Sequence, residues 1–343
     1  MKSKIKIILI VSAIERSGPS LGLLALFKLL KKYPEKYEVK VISRFCRNFK
    51  IIDKDIIYTN NYFNTFLLLK NLKKKDEVFC FSYDMKMDFI NVISGKNDFI
   101  YVRGNLLDNY SVTFGNFFGK ILYFFHTTLL KKCFGILVLT KTQEKIFKNI
   151  KYSFANKISL LPNFIDEVPK QNIKKKKNTF LIISSLIKRK RVFETLKSFI
   201  DVFNDNEDYS LTIIGDGVQY SKIISLKSNN YKCSVKIINE SINPIEFLKE
   251  SEYFILMSDS EGLSRASLEA SYFNCKMILS NIDVHKEFFS EYALLVDSFK
   301  ELKVKFNLIK KEKISLKTGY PELCKANNIE KTFNSILNKH NII

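Results

Sequence analysis

Two doubly wound α/β domains in tandem, each a parallel sheet covered by helices, are what this sequence predicts, on three observations. Short β-branched runs recur at residues 6–11, 39–42, 78–81, 99–102, 136–139 and 158–161. A second series follows at 180–183, 211–214, 235–238, 253–257, 277–279 and 293–296. Most neighbouring runs are separated by helix-length segments, the pattern of strands buried on both faces by crossover helices. At 343 residues the chain is long enough for two cores.

The first run could pass for a signal peptide, but it breaks into Glu15-Arg16-Ser17-Gly18 with no small-residue cleavage site, so it reads as a first buried strand. After it, Gly18 is expected to supply a tight turn and Pro19 the first helical position, followed by Leu23, Leu24, Phe27 and Leu30 at helical spacing. Loop and helix start together form a candidate floor for a phosphate, although the G-x-G-x-x-G fingerprint of dinucleotide binding is missing. Between the two series lies Glu167-Val168-Pro169-Lys170-Gln171-Asn172-Ile173 and then four lysines, a stretch of linker composition. Domains are therefore expected at 1–168 and 169–310, with 311–343 a helical segment able to pack back on the first.

Lys and Arg number 56 against 35 for Asp and Glu, a formal charge of +21 that favours a polyanionic partner: nucleic acid, an acidic membrane face or a phosphate-bearing ligand. The lysines at 73–75 and 174–177 read as solvated loop or linker. The six cysteines form no C-x-x-C pair, so neither a disulfide framework nor a zinc site is indicated, and a reducing cytoplasm fits. No stretch reaches the roughly 18 apolar residues of a membrane helix; the nearest, 119–139, is interrupted by His126, Lys131 and Lys132. Any membrane contact is expected to be peripheral.

The most informative segment is Met257-Ser258-Asp259-Ser260-Glu261-Gly262-Leu263-Ser264-Arg265-Ala266-Ser267-Leu268-Glu269-Ala270, which leaves a strand and enters a helix. Glu261 in the turn can present its carboxylate while helix N-terminal amides meet an anion. Glu269, about two turns further in, can accept hydrogen bonds from vicinal hydroxyls. Two glutamates at this spacing, with Gly after the first and Ala after the second, resemble the signature of the family-four retaining GT-B glycosyltransferases, the glycosyl transferases group 1 superfamily. The resemblance implies two Rossmann-like domains facing a central cleft. It gives Glu261 to the donor sugar, the amides of Gly262, Leu263 and Ser264 to sugar and phosphate, and Glu269 to the ribose.

Further segments are similar to the same family. Thr179-Phe180-Leu181-Ile182-Ile183-Ser184-Ser185-Leu186-Ile187-Lys188-Arg189-Lys190-Arg191 resembles the first donor-domain strand and its basic loop, where an arginine and a lysine neutralise the donor diphosphate. Lys190 matches the lysine. Ser185 stands at the arginine position and Arg191 at the usual glycine, which leaves Lys188, Arg189 or Arg191 to restore the lost charge. Gly215-Asp216-Gly217 resembles the family's turn near the nucleotide, residues 234–238 and 243–248 the flanks of the base pocket, and Pro162-Asn163-Phe164-Ile165-Asp166 an interdomain segment. In the first domain Arg103 falls where many members carry a histidine. Arg103 and Asn105 are expected to hold an acceptor hydroxyl or phosphate, with a structural salt bridge as the other reading of Arg103.

The implied activity is transfer of a sugar from a nucleotide-sugar donor to a saccharide or lipid-linked saccharide acceptor with retention, without cofactor or metal, in surface polysaccharide or glycolipid synthesis. Glu261 and Lys190 would be catalytic; Gly262, Leu263, Ser264, Glu269, Gly215, Arg189 and Gly18 would bind donor. The place expected is the cytoplasmic face of an anionic membrane, with no nucleic-acid partner. Two alternatives stand beside it: a sugar-nucleotide epimerase of the same fold, and a basic nucleic-acid-binding protein, the latter opposed by the lack of an interleaved aromatic array. A metal-dependent transferase would need an Asp-x-Asp pair, which Asp53-Lys54-Asp55 satisfies literally but without a matching donor domain.

Overall fold

The computed structural model describes residues 4–47, 53–150, 156–165, 173–226, 231–239 and 242–343. The chain divides into two compact units, Met1–Asp166 with Leu323–Ile343, and Glu167–Glu322. Most of the linker singled out above lies outside the described residues.

Unit 1 runs β1 (Ile5–Ile14), α1 (Gly18–Lys31), β2 (Tyr37–Cys46), β3 (Ile56–Tyr58), α2 (Tyr62–Lys75), β4 (Val78–Ser82), α3 (Met85–Ile93), β5 (Asp98–Val102), α4 (Leu106–Phe114), α5 (Asn116–Lys132), β6 (Gly135–Val138), α6 (Lys141–Ile150) and β7 (Ile158–Leu160). Its seven strands are parallel in the order β3-β2-β1-β4-β5-β6-β7. The central strands are buried along their length, as a sheet covered on both faces requires. The short edge strand β3 was not among the expected runs. The apolar stretch 119–139 is two elements, most of α5 and then β6, and among the described residues no helix is long and apolar enough to cross a membrane.

Unit 2 runs β8 (Lys176–Ile183), α7 (Val192–Phe203), β9 (Ser210–Ile214), α8 (Tyr220–Ile224), β10 (Ser234–Ile238), α9 (Ile245–Glu250), β11 (Ser251–Leu256), α10 (Arg265–Tyr272), β12 (Lys276–Ser280), α11 (Asp283–Phe289), β13 (Ala293–Val296) and α12 (Phe299–Lys310). Its six parallel strands follow the order β10-β9-β8-β11-β12-β13. Phe180 of β8 anchors the core, stacked on Tyr253 at 4.5 Å and edge-on to Phe199 at 5.3 Å and Phe306 at 5.8 Å.

The last helix, α13 (Ala326–Lys339), belongs to unit 1. Phe333 meets the rings of Phe81 and Tyr37, His340 meets Phe99, and Lys36 pairs with Glu330 at 3.3 Å. Its apolar face thus finishes the first core after the chain has built the second.

Two sequence readings are corrected here. The lysine clusters are not simply solvated: Lys73 is half-buried and donates to the carbonyl and side-chain oxygens of Asn91, and Lys175 donates to the Leu248 carbonyl. Lys176 and Lys177 open β8 and pair with Glu250 and Glu312. Gly18 makes no left-handed turn; it is the first residue of α1, so Pro19 falls at the second helical position rather than the first.

Candidate active site

In unit 2 the strand order reverses between β8 and β11, and ligands of open parallel sheets bind beyond the carboxyl ends of strands at such a place. The loop after β8 ends in a single 3-10 turn, Lys188–Lys190, closed by Arg191 at φ 51° and ψ 30°. That left-handed conformation disfavours a residue with a Cβ by about 1 kcal/mol, the physical reason glycine suits the position. Here the side chain offsets the strain. Its Nε donates to both oxygens of Asp259 at 2.8 and 3.0 Å, and its Nη1 to Glu194 at 3.2 Å.

The loop after β11 is tied to this turn at every step. The Asp259 N–H donates to the Arg189 carbonyl at 2.9 Å, the Arg189 guanidinium to the Ser260 carbonyl, and the Lys190 ammonium to Glu261 Oε1. Ser258 Oγ donates to the same Oε1 at 2.6 Å. Ser258 is itself held by Ser280, whose Oγ accepts from the Ser258 N–H at 3.1 Å and donates to its carbonyl at 2.8 Å. Behind Ser280 lies buried His285, its Nδ1 2.8 Å from the Ser280 carbonyl. Burial pushes the His285 imidazole below its usual range, against the opposing hydrogen bond to Ser280.

Burial also pushes the Glu261 carboxyl up. The charge and hydrogen bond of Lys190, then the Ser258 hydroxyl and the charge of Arg189, outweigh it and hold the group below the ordinary glutamate range. Glu261 is therefore an ionised acceptor. Glu269 has the opposite balance: burial dominates over Arg265, whose Nε donates to Oε1 at 3.0 Å, and the carboxyl is raised. Because α10 begins at Arg265, capped by Ser264 accepting from the Ser267 N–H at 3.2 Å, Glu269 stands one turn inside the helix rather than two. Gly262, Leu263 and Ser264 lead directly into its N-terminus.

Gly215 follows β9 and packs on the loop after β8: a Cβ there would fall 1.8 Å from the Ser184 carbonyl oxygen. Asp216 keeps its carboxylate for the Gly217 amide at 2.6 Å, and its carbonyl accepts from the Leu186 N–H at 2.7 Å.

Residues 163–320 match the family model described as glycosyl transferases group 1. That match spans 158 of the 343 residues, nearly all of unit 2. The chain is 25% identical over 281 residues to the capsular polysaccharide biosynthesis glycosyltransferase CapH of Staphylococcus aureus, covering 78% of this chain and 69% of that protein. Among solved structures it resembles the pneumococcal O-GlcNAc transferase GtfA in complex with UDP and GlcNAc, at a TM-score of 0.70 and 11% identity over 98% of this chain and 96% of that one. It also resembles Anabaena HepE in complex with UDP-glucose, at a TM-score of 0.66 and 10% identity over 98% and 95%. The fold is thus GT-B, two Rossmann-like parallel sheets in one chain.

The chain gathers Lys190, Arg189 and Glu261 at one switch point, with Gly215 packed against the β8 loop and Glu269 on the adjoining helix. Of the three candidates to replace the missing arginine, Arg191 is bound to Asp259 and Glu194, whereas the charge of Arg189 reaches Glu261. Ser258, Ser280 and Arg265 were not singled out in the sequence. Ser258 sits inside the quoted motif, but no spacing rule links a residue in an irregular loop to its neighbour three places on.

In unit 1, Gly18 and Arg103, assigned above to donor and acceptor, are directly bonded: Arg103 Nη2 donates to the Gly18 carbonyl at 2.9 Å and to Asn163 Oδ1 at 2.7 Å. The guanidinium lies over Tyr101 and Tyr83, 4.8 and 5.4 Å from their centroids. Gly22, not Gly18, is the glycine this packing needs, since a Cβ there would come within 2.3 Å of Arg103 while one at Gly18 would meet nothing within 4 Å. Asn105 Oδ1 accepts from the Leu107 N–H at 3.1 Å at the start of α4. Lys31 bonds both Asp53 and Asp55, so the Asp-x-Asp pair is tied into a surface ion-pair cluster, and among the described residues no group of three or more His, Cys, Asp or Glu could hold a metal.

Proposed function

We propose that the protein transfers a sugar from a nucleotide-sugar donor to a saccharide or lipid-linked saccharide acceptor, with retention of configuration and without a metal, in the assembly of a surface polysaccharide or glycolipid. The carrying observation is the bonded pair Lys190 and Glu261 at the switch point of unit 2. CapH, by its name, works on a capsular polysaccharide, and the structures of GtfA and HepE hold UDP and UDP-glucose.

In this reading the anomeric carbon–oxygen bond to the diphosphate breaks as the acceptor hydroxyl attacks from the same face. The hydroxyl proton passes to the departing phosphate oxygen. No enzyme nucleophile is needed, so catalysis rests on charge placed in advance. Lys190 has three N–H donors and can serve Glu261 and a phosphate oxygen together. Arg189 and the amides of Gly262, Leu263 and Ser264 add positive potential. Glu261, held ionised, accepts from sugar hydroxyls and favours the positive charge developing on the ring. Glu269 receives the ribose hydroxyls in place of its bond to Arg265. Arg103 and Asn105 of unit 1 are proposed for the acceptor, and the excess of lysine and arginine suits a peripheral position at the cytoplasmic face of an anionic membrane.

The test is thermal stabilisation by nucleoside diphosphates, worth about 2.7 kcal/mol at a hundredfold excess over Kd. Wild type is expected to gain more from UDP than from its 2′,3′-dideoxy analogue, and Glu269→Ala to lose that difference. Tighter, salt-sensitive binding to DNA or RNA would replace this reading with the nucleic-acid one. Release of free epimerised sugar with no acceptor present would replace it with the epimerase.

A further inference from the structure

Helix α5 of unit 1 carries an apolar face on its outer side. Phe117, Ile121, Phe124 and Phe125 stand at i, i+4, i+7 and i+8, a spacing that gathers them on one side. Such a side is ordinarily the core side. Here the opposite side is buried: Gly119 meets the backbone of Tyr110 and Ser111 so closely that a Cβ would fall 2.7 Å from the Ser111 nitrogen. His126 is bonded to the Tyr110 hydroxyl and lies 3.2 Å from the Asp88 carboxylate, with Leu129 and Leu130 buried one turn on.

Those contacts set the rotation of the helix and turn its phenylalanines outward. Phe117, Phe118, Phe124 and Phe125 keep 72%, 64%, 67% and 56% of their surface, and Phe114 and Ile121 are exposed beside them. The rings pair edge to face, 117 with 118 at 5.5 Å and 124 with 125 at 6.1 Å. A grouped aromatic surface of this kind marks an interaction site.

Charge identifies the partner. Lys120, Lys131 and Lys132 are exposed on the same helix, and no acidic residue stands between positions 108 and 144. A second copy would bring two lysine rims together in a chain of formal charge +21. An anionic bilayer answers both features, with phenyl rings below the headgroups and ammonium groups at the phosphates. With 17 residues, α5 is about 25 Å long and is not a membrane-crossing helix.

We propose that α5 docks the protein on an anionic phospholipid bilayer, lying in the plane of the interface with Phe117, Phe118, Phe124 and Phe125 inserted and Lys120, Lys131 and Lys132 at the phosphates. The assignment deepens the reading of a lipid-linked acceptor and rests on it for its purpose alone, because lipid binding is measured without donor, acceptor or turnover.

The chain contains no tryptophan, so Phe124→Trp places a lone fluorophore on the face. Vesicles of phosphatidylcholine with about one third phosphatidylglycerol should move its emission to shorter wavelength, and brominated acyl chains should quench it; phosphatidylcholine alone should do far less. Val304→Trp, on exposed helix α12 of unit 2 among Lys303 and Lys305, should stay unchanged. Phe117→Ser/Phe124→Ser should lower vesicle partitioning by at least about 30-fold, since each ring carries a large share of the transfer free energy. Its thermal stabilisation by UDP should match wild type, which shows an intact fold and keeps the transferase reading separate. An unshifted Phe124→Trp, an equal response from Val304→Trp, or unchanged partitioning of the double variant overturns the proposal. Conversion of a dimer to a monomer by the double variant, with lipid binding unaltered, would assign the face to a second copy instead.

Discussion

Lys190 and Glu261, 71 positions apart, are bonded to each other, with the Lys190 side chain 13% and the Glu261 side chain 6% exposed. Removing one partner of such a pair strands a buried charge. Lys190→Ala is expected to destabilise unit 2 by about 3 kcal/mol and to lower kcat/KM by about 100- to 1000-fold. The double variant Lys190→Ala/Glu261→Gln should recover most of the stability and none of the activity, a separation that melting curves and initial rates measure together. Equal loss of stability in single and double variants would show that the pair is not coupled.

The two glutamates respond to pH with opposite signs. Glu261 is depressed in the folded state, so its contribution is complete above the unfolded value of about 4.3 and is lost as pH falls through the folded one. Lys190→Ala should therefore begin acid unfolding at higher pH than wild type. Glu269 is raised, so its ionisation costs stability as pH rises above the unfolded value through the folded one. Glu269→Gln should be at least as stable as wild type at pH 7 and lose that advantage below pH about 4. Melting temperatures across pH 3 to 8 decide both.

Ser258 donates to Glu261 Oε1 and so fixes the orientation of that carboxylate. Ser258→Ala leaves the carboxylate ionised by Lys190 but free to rotate, and should lower kcat about tenfold with little change in donor KM. Ser258→Thr keeps the hydroxyl and should restore most of the rate; an equal loss in both variants would point to packing alone.

Gly215→Ala drives a methyl into the Ser184 carbonyl oxygen, a rigid backbone atom, at φ +158°. A loss of about 3 kcal/mol or more in unit 2 is expected, with chemical denaturation as the measurement. A neutral result would mean that the loop after β8 moves freely, against its ties to residues 258–261.

All twelve expected strand runs became strands, because their apolar, β-branched composition shows locally, most plainly where a strand is buried on both faces. β3 escaped because a three-residue edge strand has no such run. The glutamates and the basic loop were legible as short motifs. Most partners of those motifs were not: Ser280 and the Arg191–Asp259 pair follow from which strands and turns lie side by side, whereas Arg265 is the helical i,i+4 neighbour of Glu269. The outward face of α5 is not legible in the sequence, since the spacing of its phenylalanines is that of a core-facing stripe.

From the chain alone came the alternation of strands and helices, the family of its second half, and the residue types available for phosphate, sugar and ribose. Which of them meet was decided by tertiary structure, as β8 and β11, distant in sequence, are neighbours in the sheet, bringing residues some 70 positions apart into one hydrogen-bonded loop pair. The same holds for the outward face of α5. Periodicity says that a helix has an apolar side, while the close approach at Gly119 and the bonds to His126 determine that a different side is buried.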